Sequence, residues 1–369
     1  MTLTLVVVFG VFQLILFLMH AVIYKTLAIS FGWDWQWLTW LFAVLSITFV
    51  SASILAHRYC NTFVKGYYRL ATYWFGLTIF LYVGALGAYF AEWLLYASDH
   101  YIASEFIGGF FLGLMFLIHT YATWQTARIK VTRVTVSSKR PNVPWPDAWL
   151  GKKIVFVSDV HLGAVLGSGF SNRVVDAIAA ESPEAVLIGG DIFDGVKCHS
   201  QSLIEPFMKL RPPQGIYFIS GNHEYIEDTL ALLKEVEAIG VRVLRDEVVD
   251  MGGIQLAGVD WKDTYKKDEF EKVITGMHLD LKKPSILMRH EPNHLLVAAH
   301  AGVSLTLCGH THAGQIWPLG YITGRMYRGF DYGLKQLHEM MVYTSSGVGT
   351  WGPPLRFGTK SEIVVITFK

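Results

Sequence analysis

Cysteine is scarce in this chain. The three residues among 369, Cys60, Cys198 and Cys308, are odd in number and far apart, which argues against a disulfide framework or a clustered thiolate metal site. A reducing compartment is allowed. An excess of either charge is also missing: 31 Lys plus Arg against 30 Asp plus Glu leave a formal net charge of +1. No global field therefore draws the chain toward nucleic acid or another polyanion, and partners must be met at local sites. Charged residues amount to only 17% while apolar ones reach 52%, a balance that excludes a disordered protein.

The apolar residues are not spread evenly. Residues 1–127 carry four basic (Lys25, Arg58, Lys65, Arg69) and four acidic side chains (Asp34, Glu92, Asp99, Glu105), whereas the other 242 residues hold 27 basic and 26 acidic groups. Within the first region, Leu3–Tyr24, Trp35–Ala56, Leu70–Ala91 and Phe106–Ala127 are free of charge, each 22 residues long. At about 1.5 Å per residue such a helix covers the roughly 30 Å hydrocarbon core of a bilayer, so four transmembrane helices are expected. The first run lacks preceding basic residues and exceeds the ~7–15 residues of a signal-peptide core, and it is read as a retained span. Trp33, Trp35, Trp37 and Trp40 crowd the start of the second span, where rings at a headgroup boundary are expected.

Basic residues set the expected orientation. Arg58, Lys65 and Arg69 lie between spans two and three, and Arg128, Lys130, Arg133, Lys139 and Arg140 follow span four, against Lys25 alone in the other loops. This places the N-terminus and the C-terminal region in the cytoplasm. Gln13, His20, Glu92 and His119 are isolated polar residues in or near the spans. Hydrogen bonding between helices or interfacial placement accounts for them better than a transport pathway does.

Beyond the spans, Ile129–Val136 alternates with the period of a strand, and the stretch Pro141–Pro146 reads as an extended connector. Short apolar runs then end in polar or glycine-rich turns. Ile154–Val157 leads into SDVHLG, Ala185–Ile188 into GGDIFDG, Ile216–Ile219 into SGNHE, Ser285–Met288 into RHEPNH and Leu305–Leu307 into CGHTHAGQ. Helical patterns at Ser171–Ala180, Glu227–Ile239 and Asn293–Ala299 lie between them. This is an α/β pattern with its chemistry at strand ends, and adjacent strands in one sheet are expected to bring the turns to one edge. Those turns carry Asp159, His161, Asp191, Asn222, His223, His290, His310 and His312, a donor set of carboxylate, amide and imidazole. One Asp-x-His or His-x-His pair is ordinary loop chemistry; five such turns in order are not.

The motifs DVH at 159–161, GDIFD at 190–194, GNHE at 221–224, His290 in MRHEP and GHTH at 309–312 resemble the calcineurin-like metallophosphoesterase superfamily. The resemblance runs from about residue 128 to the end and leaves the spans outside it. GHTHAGQIWP and GTWGPPLRFG look like the bacterial membrane-associated branch, which includes proteins likened to UDP-2,3-diacylglucosamine pyrophosphatases. The charge-free runs give a four-helix transmembrane region (1–127) in the cell inner membrane, followed by a linker with a first strand (128–150), and the resemblance implies for the rest an α/β fold, a metallophosphoesterase α/β/β/α sandwich (151–369). It implies two divalent metal ions, one held by Asp159, His161, Asp191 and His312, the other by Asp191, Asn222, His290 and His310. A hydroxide bridging them would attack a phosphodiester or pyrophosphate. Without thiolate, such a site suits Mn²⁺, iron or Zn²⁺, and Mn²⁺ is preferred by resemblance.

Adjacent residues of an extended backbone point apart, so Asn222 is expected to face metal and His223 substrate; the resemblance assigns His223 to the leaving-group oxygen. Asp194 is expected to orient a ligand by hydrogen bond, and Glu224 is left outside the site. Arg289, Arg325, Arg328 and Arg356 are equally open to binding a substrate phosphate or to structural roles, and Arg289 departs from the small or apolar residue that relatives often place before this histidine. Cys308 is expected to be buried, and His199, His278, His294, His300 and His338 fit no motif. The expected substrate is a phosphoester or pyrophosphate, which a membrane anchor would help to reach when lipid-linked, with membrane lipids as the other partner and no nucleic acid. The competing reading is a catalytically silent membrane receptor or scaffold with a structural metal site, whose hallmark would be a lost ligand.

Overall fold

Alternation along the strands determines the layering of the second half of the chain. In a computed structural model, which describes residues 3–195, 201–226 and 229–369, β2 (Lys153–Val157) sends Ile154 and Phe156 into one apolar cluster and Val155 and Val157 into another. Both of its faces are therefore covered, as fits a central strand between two packed layers. Cys198 and His199 lie outside the described residues, as do the first two residues of the helical pattern expected from Glu227.

The chain divides into two compact units, Met1–Trp124 with Gly352–Leu355, and Gln125–Trp351 with Arg356–Lys369. The first contains α1 (Leu3–Phe31), α2 (Gln36–Arg58), α3 (Thr62–Ala97) and α4 (Ser104–Thr126), all long and apolar enough to cross a membrane. The helices run past the charge-free stretches. Lys25, Lys65 and Arg69 are good helix formers whose long stems can carry a charge away from an apolar surface, so charge ends the apolar run without ending the helix. Gln13 Nε2 donates to the Ser46 carbonyl (3.1 Å) and Trp74 Nε1 to His20 Nε2 (2.9 Å), so these polar residues join α1 to α2 and α3. Gly84 and Gly87 of α3 let Phe111 and Met115 of α4 approach closely.

In the second unit, β1 (Ile129–Val136), β2, β3 (Ala185–Ile188), β4 (Ile216–Phe218), β5 (Arg242–Val243) and β12 (Ser361–Phe368) form one sheet in the order β1-β12-β2-β3-β4-β5. The strands β6 (Glu247–Met251), β7 (Ile254–Gly258), β8 (Ser285–Met288), β9 (Leu305–Cys308), β10 (Gly333–Leu337) and β11 (Met340–Thr344) form the other, ordered β10-β11-β9-β8-β7-β6. Neighbours β2 to β5 are parallel, as are β7, β8, β9 and β11. Phe156, Leu187, Leu256, Ile286, Leu307 and Ile366 meet between the sheets. Outside the first sheet, α5 (Ser168–Ala180) contributes Val174 and Ile178, and beyond α6 (Gln201–Ile204), α7 (Thr229–Ala238) contributes Leu232 and Val236. Outside the second, α9 (Lys267–Gly276), preceded by α8 (Trp261–Thr264), adds Phe270 and Ile274, and α10 (Leu295–His300) adds Val297. A short α11 (Gly320–Met326) follows the last motif.

The architecture is the α/β/β/α sandwich that the resemblance implies, and it corrects only the expectation, drawn from the strand pattern, that all five turns lie at the edge of one sheet. The turns after β2, β3 and β4 belong to the first sheet; those after β8 and β9 belong to the second. The site is assembled by face-to-face packing as well as by strand order.

Candidate metal centre

Three of the five turns place their motif residues in left-handed backbone. Asp159, His161, Asp191, His310 and His312 all have positive φ, from 48° to 71°. Each non-glycine residue in this left-handed region costs about 1–3 kcal/mol that the surrounding structure must offset. The strain turns successive side chains inward at the ends of β2, β3 and β9. Glycines of the motifs permit the close approach: a Cβ on Gly221 would collide with Asp191 Oδ1, and one on Gly309 with Ser158 Oγ and Asp159 Oδ2.

Two groups of donors result, sharing one carboxylate. His161 Nε2 lies 3.1 Å from His312 Nε2, 4.0 Å from Asp159 Oδ1 and 3.9 Å from Asp191 Oδ2. On the other side, His290 Nε2 is 3.2 Å from Asp191 Oδ2 and 3.2 Å from Asn222 Oδ1, and His310 Nδ1 is 2.8 Å from Asn222 Oδ1. Asp159, His161 and Asp191 are essentially excluded from solvent. The motif residues Asp159, His161, Asp191, Asn222, His290, His310 and His312 therefore converge.

The donor chemistry fits divalent cations. Burial, followed by the neighbouring His223, holds the His161 imidazole well below its ordinary pKa; burial and the neighbouring His161 and Arg356 do the same to His312. Two neutral rings thus face one another through Nε2, which a cation between them and the carboxylates would satisfy. Burial alone would raise the Asp191 pKa, but His290, His223 and His161 outweigh it and keep the carboxylate ionised. Asp191 in turn raises His290 against the effect of burial. Metal clusters can be drawn from Asp159, His161 and His312, from His161, Asp191 and His223, and from Asp191, His290 and His310.

His223 diverges from Asn222 for a different reason than an extended chain. Asn222 has helical dihedrals (φ −72°, ψ −26°) and His223 begins a 3₁₀ turn. The His223 amide donates to Asp191 Oδ1 (2.9 Å), its Nδ1 meets the Asp194 carbonyl (2.8 Å), and its Nε2 lies 4.0 Å from Asp191 Oδ2. Asp194 thus serves His223 through its backbone carbonyl.

Several supporting residues escape a motif reading. Glu224 is fully buried and accepts from the amides of Gly221 (2.7 Å), Asp191 (2.9 Å), Ile192 (2.9 Å) and Phe193 (3.3 Å). It ties the turn after β4 to the turn after β3, and its position inside GNHE was the available signal. Arg356, equally buried, donates to the carbonyls of His312, Gly347 and Gly349. Arg289 is buried over the Phe270 ring, 4.0 Å from its centroid, and donates to the carbonyls of Glu291 and Thr264. These engagements give both arginines structural places; Arg325 and Arg328 are exposed. Cys308 is buried, and burial pushes its thiol pKa up to about 12.

The calcineurin-like phosphoesterase family model matches residues 152–314. A protein of Aquifex aeolicus (strain VF5), named an uncharacterized metallophosphoesterase, is 31% identical over 265 residues, covering 69% of this chain and 97% of its own. One of the same name from Helicobacter pylori (strain J99) is 33% identical over 237 residues, 62% of this chain and 64% of that relative. A zebrafish (Danio rerio) protein named "Transmembrane protein with metallophosphoesterase domain" is 33% identical over 242 residues, 61% of this chain and 54% of its own. The chain thus spans less than two thirds of the length of the latter two. With the five motifs converging and the Aquifex relative matched along nearly its whole length, this chain belongs to the calcineurin-like phosphoesterase family.

Proposed function

We propose that the protein is a membrane-anchored dinuclear-metal phosphohydrolase that cleaves a phosphodiester or pyrophosphate bond, with its catalytic unit on the cytoplasmic face of the inner membrane. The observation that carries this reading is Asp191, whose single Oδ2 lies 3.9 Å from His161 Nε2 and 3.2 Å from His290 Nε2, so that one carboxylate serves both donor groups. Asp159, His161, Asp191 and His312 would hold one ion, and Asp191, Asn222, His290 and His310 the other. When bound, such a pair supplies charge to hold phosphoryl oxygens and lowers the pKa of water from 15.7 toward about 7. The donors suit Mn²⁺, with iron and Zn²⁺ as alternatives.

The remaining chemistry belongs to the chain. His223 Nδ1–H donates to the Asp194 carbonyl, which orients the ring and leaves Nε2 facing the donor groups. A proton held at Nε2 is placed to pass to the leaving-group oxygen. Four helices able to cross a membrane favour a lipid-linked substrate, since an amphiphile would reach the site without leaving its bilayer.

Purified protein with Mn²⁺ should cleave an aryl phosphodiester. His223→Ala should lower kcat by about 10²- to 10⁴-fold while retaining bound metal. Undiminished turnover would overturn the role of His223. A metal-replete preparation inert toward phosphodiesters, pyrophosphates and monoesters would instead establish the silent receptor.

A further inference from the structure

The segment after the last motif turns its apolar side chains outward. Trp317 is 60% exposed, Tyr321 71%, Ile322 58% and Met326 66%, and Trp351 beside them is 62% exposed. No residue of α11 is buried, although a surface helix of a soluble domain ordinarily buries its apolar stripe. Ile322 and Met326 are four apart and share one helix face.

The face is held firmly. Gln315 and Trp351 exchange two hydrogen bonds, Nε2 to the Trp351 carbonyl (2.9 Å) and the Trp351 amide to Oε1 (3.0 Å). The Trp317 amide donates to the Phe357 carbonyl (2.8 Å), and Thr323 Oγ1 to Asp331 Oδ2 (3.2 Å). Its own charged side chains are basic: residues 317–328 contain no Asp or Glu, and Arg325 and Arg328 are exposed and in no ion pair among the described residues, while Asp331, which holds Thr323, is half-buried.

Tryptophan, tyrosine and aliphatic side chains flanked by arginines match a bilayer interface, where the rings lie at headgroup depth and the guanidinium groups meet lipid phosphates. The same chain carries four helices able to cross a membrane, so a lipid surface is the partner it always accompanies. We propose that residues 317–328, together with Trp351, form a membrane-docking face that beds into the headgroup region of an anionic bilayer. Because this face begins five residues beyond His312, a lipid headgroup would arrive beside the metal centre. The docking face does not depend on the phosphohydrolase reading, and its test does not use activity.

The full chain, with Cys60 and Cys198 replaced by serine, is placed in nanodiscs of phosphatidylcholine and phosphatidylglycerol (3:1) and spin-labelled through Ile322→Cys or, separately, Met326→Cys. Oxygen should relax both labels more effectively than a water-soluble nickel chelate, while a label at exposed Glu237 shows the reverse. Adding Arg325→Glu and Arg328→Glu should raise nickel access at 322 at least twofold in the anionic discs. Water-like nickel access at 322 and 326, equal to that at 237, would overturn the proposal. Dipolar broadening between labels in discs holding two chains would also overturn it, by assigning the face to a second copy.

Discussion

Glu291 Oε1 lies 3.2 Å from His310 Nε2, while the opposite nitrogen of that ring, Nδ1, lies 2.8 Å from Asn222 Oδ1. The carboxylate accepts the Nε2 proton and thereby leaves Nδ1 bare toward the metal centre. Tyr327 OH (3.2 Å) and Asn293 Nδ2 (2.7 Å) in turn hold Glu291. Partners of this kind are worth about 10- to 100-fold in metal affinity. Glu291→Ala should therefore weaken Mn²⁺ binding about 10- to 100-fold in a competition titration, and Glu291→Gln, which keeps an acceptor oxygen, should weaken it less. Equal affinities in all three proteins would show that His310 needs no such support.

Gly221 offers a steric test of the same centre. Its missing side chain leaves room for Asp191 Oδ1, so Gly221→Ala must displace the carboxylate shared by both donor groups. Overpacking of this kind costs about 1–3 kcal/mol. Metal stoichiometry per chain should fall below that of the wild type, together with the melting temperature; full occupancy would mean that the loop yields without moving Asp191.

Asp246 provides a pH dependence away from the metal centre. Burial, and the neighbouring Asp260 carboxylate, raise its pKa to about 6 from an ordinary 3.8, although its Oδ1 accepts the Asp260 amide (2.9 Å). An acid whose folded pKa is raised binds more protons folded than unfolded, so its contribution is full below the unfolded pKa and lost as pH rises through about 6. Solvent screening at this half-buried group reduces the effect to roughly 1 kcal/mol. Asp246→Asn should melt higher than wild type at pH 8, with the difference vanishing near pH 4. A difference independent of pH would rule out titration of Asp246 as its cause.

Cys60 reports orientation, because it is exposed and lies between α2 and α3 whereas Cys308 is buried. With Cys198 replaced by serine, a membrane-impermeant maleimide should label Cys60 only after cells are permeabilised. Labelling in intact cells would place that loop, and the domain on its side, outside the cytoplasm.

Much of this protein follows from local pattern. The four apolar helices were legible because length and lack of charge are read directly along the chain, and the strands Ile129–Val136, Ala185–Ile188 and Ser285–Met288 coincide with the runs expected from them. Asp159, His161, Asp191, Asn222, His223, His290, His310 and His312 were legible as candidates because each sits in a short polar turn directly after an apolar run, where its chemistry shows as a motif. What those motifs leave open is non-local. Only tertiary structure decided which turns belong to which of the two sheets, those after β2, β3 and β4 to one and those after β8 and β9 to the other, because strand pairing is not encoded within any one run. It also decided that five of the site residues adopt positive φ, and that Glu291, Glu224 and Arg356 brace the centre. Those roles depend on which backbone amides, carbonyls and ring nitrogens lie within 3 Å or so of a side chain, a relation between segments as distant as His312 and Arg356 that spacing along the chain does not carry.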